Sequence, residues 1–251
     1  MTPEDEMNAT HSSGRRVFLR VATYAIAMSA IGGLPYARAA DAKPKIGIIG
    51  SGRIGSTLGE LWAKAGYEVM FSSLDLAKDK ELAAHVGNGA QAGTPAEAAA
   101  FGDVLLVSVP YSALPQIGRD LAASIRGKVV IDTSNPVQAR DGDMAVPARE
   151  KGTGVASAEY LPGARLVRAF NSVGFNSLRS EAHRSGDKVA IPVAADDPDA
   201  LKTGVRLVEA AGFEPVVVGP LSKAKSFDVG TPVFGKAMTA AELRKALGPG
   251  S

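Results

Sequence analysis

Cysteine is absent from all 251 residues. That excludes disulfides, zinc–thiolate sites, iron–sulfur clusters and thiol nucleophiles. Histidine is scarce, at three residues, which argues against a His-rich metal centre. Neither sign of charge is in excess: 28 basic residues stand against 26 acidic ones, leaving +2. Nucleic-acid binders usually carry a basic surplus or stripe, so no nucleic-acid partner is expected. What is present points to a packed core. Hydrophobic residues make up 45%, too many for a disordered chain. The 28 glycines and 15 prolines follow no collagen period.

The N-terminus reads as an address. Gly14-Arg15-Arg16-Val17-Phe18-Leu19-Arg20 is followed by a mildly apolar run from Val21 to Leu34 and then by Ala37-Arg38-Ala39, a small-x-small cleavage pattern. The run holds about 14 residues against roughly 20 needed to cross a bilayer, so an anchor is the weaker reading. The arginine pair with Phe18-Leu19 resembles a twin-arginine signal, although an ordinary secretory signal with a chance pair would look similar. Residues 1–39 are therefore expected to direct export to the periplasm through the twin-arginine translocase. That route carries folded proteins, so any cofactor would be loaded in the cytoplasm.

Beyond residue 40, short β-rich runs alternate with helical patterns. Lys45 to Ile49, Glu68 to Phe71, Ala90 to Ala92, Val104 to Val109, Val129 to Asp132, Leu166 to Phe170, Val189 to Val193 and Pro215 to Val218 read as strands. Gly52 to Ala65 reads as a helix, with Ile54, Leu58, Leu61 and Trp62 at helical spacing. Asp75 to His85 reads as another, with Leu76 and Leu82 inward and Lys78, Asp79 and Lys80 outward. Thr94-Pro95-Ala96-Glu97 and Thr239-Ala240-Ala241-Glu242 are helix starts of the capping-box type. Arg140 to Gly154 reads as a loop or broken helix. Such alternation predicts an α/β fold, a Rossmann-type doubly wound and mainly parallel sheet. The expected divisions are 40–175 for the Rossmann domain and 176–251 for a small C-terminal α/β extension.

Gly50-Ser51-Gly52-Arg53-Ile54-Gly55 completes G-x-G-x-x-G directly after the first strand and opens the first helix. In that context Gly50 permits a tight turn, Gly52 lets a pyrophosphate approach, and Gly55 lets helix and strand pack closely. Free N–H groups at the helix start hold the anion. The second strand ends in Met70-Phe71-Ser72-Ser73, without the carboxylate that NAD binders place there. Two hydroxyls can donate to a 2′-phosphate, and Arg53 and Lys78 add positive charge, so NADP(H) is expected over NAD(H). Asp75 counts against this. Ser72 and Ser73 would alternatively only cap the next helix.

In an open α/β sheet, ligands sit outside the carboxyl ends of the strands. Val109-Pro110-Tyr111, Asn135-Pro136 and Ala169-Phe170-Asn171 occupy three such ends. Asn135 and Asn171 are candidates to hydrogen-bond a ring or ribose, and Tyr111 to stack. Each alone is better read as a turn residue; the shared position is what makes them a set. His183 lies in a polar stretch and His85 closes a helix, so neither is a preferred proton donor.

The chain resembles the NADPH-dependent reductases typified by coenzyme F420:NADP oxidoreductase. The matching pieces are Ile48 to Gly55, Val109-Pro110, Asp132 to Pro136, Val167 to Asn171, Gly212 to Pro215 and Val218 to Leu221. The resemblance covers about residues 44 to 225. It implies NADP on the glycine turn and a small C-terminal part closing over a flat ring acceptor, deazaflavin F420 or a flavin. Leu74 departs from the arginine that typical members carry after the serine.

The activity so implied is hydride transfer to or from a small-molecule acceptor. Imine and pyrroline-carboxylate reductases are disfavoured, because they add a long helical domain that the residues after Asn171 do not supply. The other reading is a non-catalytic exported NADP-binding protein. Apolar residues near Val229 to Phe234 would pair a homodimer or belong to the core.

Overall fold

The structure is a computed structural model and describes residues 43–248. The export-signal reading of 1–39 lies outside the described residues.

Eight strands form one sheet in the order β3-β2-β1-β4-β5-β6-β7-β8. They are β1 (Ile46–Ile49), β2 (Val69–Ser72), β3 (Gln91–Ala92), β4 (Val104–Val107), β5 (Val129–Asp132), β6 (Arg165–Arg168), β7 (Ala190–Ala195) and β8 (Glu214–Gly219). The first six pair in parallel. β7 then pairs antiparallel with β6, and β8 runs parallel to β7. The protein is thus an α/β fold of Rossmann type, and the segment after 176 adds two strands to the same sheet.

The helices are α1 (Arg53–Lys64), α2 (Leu76–Val86), α3 (Pro95–Phe101), α4 (Leu114–Asp120), α5 (Ala122–Ile125), α6 (Gln138–Asp141), α7 (Ala145–Lys151), α8 (Thr153–Tyr160), α9 (Phe175–Ser180), α10 (Pro198–Ala210) and α11 (Ala240–Leu247). Both capping boxes form as the sequence predicts, Thr94 with Glu97 and Thr239 with Glu242. The stretch 140–154 takes the broken-helix form of its two readings. It is three short helices whose breaks fall at Gly142 (φ +64°) and Gly152 (φ +97°). Helical turns there bury Ala145, Ala148 and Thr153, a pattern too short to show a period in the sequence.

Alternation along the strands sorts the core into two layers. Ile46 and Ile48 face one side with Leu58, Trp62, Phe71, Ile131, Val167 and Phe213. Ile49 faces the other with Leu105, Val107, Leu114, Val130 and Leu166. A third cluster joins Val216, Val218, Phe227 and Val233. Val233 is therefore core, and the stretch near Val229 to Phe234 is not the exposed apolar surface that one reading allowed.

Candidate dinucleotide site

β1 ends at the turn that begins with Gly50. Its φ is +100°, a region L side chains rarely adopt. A Cβ at this position would lie 2.2 Å from the Ser108 carbonyl oxygen, so no larger residue fits without movement. The turn is fastened to β2 by two bonds, in which the Gly50 and Ser51 N–H groups donate to the Ser72 carbonyl at 2.9 and 3.0 Å. Gly55 lets α1 descend onto the turn: a Cβ there would stand 2.0 Å from the Gly50 carbonyl oxygen. Gly52 is different. Its Cβ direction meets nothing within 4 Å, and the residue is exposed.

The start of α1 is electrostatically open. Gly52 supplies no side-chain cap, and no acidic residue occupies the first turn. The first N–H groups of a helix lack intrahelical partners and carry its positive dipole end. Arg53 adds a cation, its guanidinium 4.9 Å from the centre of the Phe175 ring. Ile54 is half-buried beside it and packs on the core. These residues fit a pyrophosphate: close backbone approach, an unblocked Gly52 and unspent N–H groups.

The end of β2 corrects the expectation placed on its serines. Ser72 is buried and its hydroxyl donates to the Ile48 carbonyl at 2.6 Å. Strand pleat turns that side chain inward, so it is not offered to a ligand. Ser73 donates to the Asp79 carboxylate at 2.8 Å and accepts from the Asp75 N–H at 3.1 Å. Asp79 also takes a hydrogen bond from the Ser51 hydroxyl. The outward placement of Asp79 is thus overturned, since the residue is 1% exposed. Asp75 caps α2, accepting from the Lys78 N–H, and its side chain pairs with the Lys78 ammonium at 3.1 Å. The hydrogen bond from the Lys78 N–H holds the Asp75 carboxyl below its ordinary pKa. Leu74 is fully exposed at the rim.

The remaining strand ends lie along the same edge. After β4, Val109 is half-buried and Pro110 exposed. Tyr111 is wholly buried, its ring edge-on to Tyr160 at 6.1 Å. Burial pushes its phenol pKa well up, and the ring cannot stack on a ligand. The apolar surroundings of residues 111–113 explain why: the short helical turn there packs Tyr111 into the layer of Leu114, Leu121 and Leu161.

The ends of β5 and β6 meet around a charged group that the sequence reading did not single out. Arg168 is buried completely. Its guanidinium pairs with Asp132 at 3.0 Å and Asp228 at 3.3 Å. It also donates to the Asn135 side-chain oxygen at 3.0 Å and the Ser134 carbonyl at 2.5 Å. Asn135 donates in turn to the Asn171 carbonyl at 2.9 Å, tying the two strand ends together. The Asn171 amide donates to the Phe227 carbonyl at 3.3 Å, while its side-chain oxygen is buried without a partner. Ala169 is buried in the sheet. Phe170 takes φ +61°, held there by its ring lying edge-on to Trp62 at 6.0 Å and to Phe213 at 6.3 Å. No pattern in the sequence links 132, 168 and 228; only their charge in otherwise apolar or small-residue surroundings hinted at it.

Turn, open helix start and converging strand ends together define a Rossmann-type dinucleotide-binding protein. Residues 45–136 match the family model described as NADP oxidoreductase, coenzyme F420-dependent. The F420-dependent NADP reductase of Methanothermobacter thermautotrophicus is 30% identical over 204 residues, covering 76% of this chain and 87% of that one. The chain belongs to this family of NADP-dependent oxidoreductases. Metalloreductase STEAP3 of Rattus norvegicus is 28% identical over 74% of this chain, which spans only 36% of that protein's length. Among solved structures, a hypothetical protein from Sinorhizobium meliloti has the same fold, with a TM-score of 0.69 and 23% identity over 78% of this chain and 95% of that one.

Proposed function

We propose that this chain is an exported reductase that moves a hydride between NADP(H) and a flat ring acceptor, deazaflavin F420 or a flavin. The observation that carries the proposal is the Gly50 turn, fixed at positive φ and opening an uncapped helix beside an empty Gly52 direction. Family membership and the name of the methanogen relative support the redox role and the deazaflavin. The Arg15-Arg16 pattern supports export.

Bound nicotinamide would supply the hydride site at its C4 carbon. The chain's part is binding and orientation. Gly52, Arg53, Ile54 and Gly55 would hold the pyrophosphate through backbone N–H groups and the helix dipole, on the turn that Gly50 and Ser51 fasten to β2. Val109 and Pro110 at the end of β4, with Asn135 and Asn171 at the ends of β5 and β6, would border the ring. No nucleophile is required.

The test is NADPH oxidation by the purified protein with deazaflavin, flavin and ferric acceptors in turn. Turnover with a flat ring acceptor is expected. Tight NADP binding with no turnover on any of them would overturn the catalytic reading and leave a binding protein. For export, nucleotide extracted from periplasmic protein is the check: its absence would overturn loading before export.

A further inference from the structure

One buried acid beside the turn is used by nothing described so far. Asp79 sits in the first turn of α2 and makes no ion pair among the described residues; both its oxygens accept from hydroxyls, one from Ser51 and one from Ser73. These two serines flank the corner where the glycine turn meets the end of β2. That corner faces the adenosine ribose in dinucleotide folds. A hydroxyl has one proton to give. Ser51 and Ser73 give theirs to Asp79, and Ser72 gives its own to the Ile48 carbonyl. Ser51 and Ser73 therefore turn lone pairs, not protons, toward a ligand, while buried Ser72 offers neither. Lone pairs suit a ribose 2′-hydroxyl, which can donate. They do not suit a 2′-phosphate, and the buried carboxylate behind them repels one. The cations nearby are already engaged, Lys78 on Asp75 and Arg53 over the Phe175 ring.

We propose that Asp79 is a positioning residue that sets nucleotide selectivity. By holding the Ser51 and Ser73 protons inward, it narrows the advantage of NADP(H) over NAD(H). This rests on the dinucleotide reading of the same turn.

The experiment is calorimetric titration of the full chain with NADP+ and with NAD+, for the wild type and Asp79→Asn. The variant keeps the size of the side chain, removes the charge and frees a serine proton. The ratio of NAD+ to NADP+ dissociation constants is expected to rise about tenfold, through tighter NADP+ binding. A merely structural role would weaken both nucleotides alike, so an unchanged or falling ratio overturns the inference. Ser73→Ala provides a second arm with Asp79 in place. Because its hydroxyl proton points to Asp79 and not to the phosphate, NADP+ affinity should move less than twofold; a tenfold loss would overturn the inference by itself. Failure of the wild type to bind either nucleotide would instead remove the dinucleotide reading, and this inference with it.

Discussion

At the end of β1 the backbone carries the chemistry and side chains are small; at the ends of β5 and β6 charged and amide side chains bond one another around a buried guanidinium. The Gly50 turn offers an open helix start and an empty direction at Gly52. The Arg168 corner is closed, its guanidinium bonded to Asp132, Asp228, Asn135 and Ser134. Both corners lie on the carboxyl edge of one sheet. The difference teaches that such an edge can be divided into a part kept vacant for an anion and a part stiffened by its own charges. The stiff part sets the position of Asn135 and Asn171 and engages their side-chain polar atoms, all but the buried Asn171 oxygen.

Four experiments probe this division. The largest effect is expected from Arg168→Met, which strands two buried carboxylates and should cost about 3–5 kcal/mol of unfolding free energy in a urea titration. A loss below about 1 kcal/mol would mean that the closed corner is not a structural clamp. Gly52→Asp should leave the melting temperature unchanged, because its side chain enters open space. It should weaken nucleotide binding by about 100-fold or more, through like-charge conflict with the pyrophosphate. Equal affinity in a titration would remove the turn from the site.

Gly50→Ala should do what Gly52→Asp does not, and destabilise the fold by about 1–3 kcal/mol even without nucleotide, since φ +100° and the Ser108 carbonyl both oppose a side chain. The smallest effect concerns acid. Burial of Asp141 acts to raise its pKa, but hydrogen bonds from Arg140 and from the Val137 and Ser112 N–H groups outweigh it and bring the group down to about 2. A pKa lowered in the folded state gives stability that is present above the ordinary carboxylate value, near 4, and is lost as pH falls toward 2. Asp141→Asn should therefore flatten the fall in stability between pH 4 and 2 by on the order of 1–2 kcal/mol, read from unfolding curves at each pH.

Local features were the ones legible in the sequence. The glycine motif, both capping boxes and the eight strands depend on residues within a few positions of one another, and the structure holds each of them. Errors arose where long-range partners decide. Asp79 follows its helix neighbours outward by composition, yet Ser51, 28 residues earlier, draws it in. Tyr111 sits at a strand end suited to stacking, but Tyr160 and the α4 side of the core claim its ring. Arg168 looked like one more basic residue, because the acids that surround it are 36 and 60 positions away. Ser72 was misread for a simpler reason: it is the last residue of β2 and its side chain is buried against the Ile48 carbonyl of the neighbouring strand, while Ser73 lies beyond the strand.

The separation between Arg168 and Asp228 has a consequence for biosynthesis. The guanidinium leaves the ribosome 60 residues ahead of its second counter-charge. Until that later segment arrives, the nascent sheet contains an incompletely neutralised cation at a position meant to be dry. The late segment therefore supplies the last counter-charge of a buried cation made 60 residues earlier.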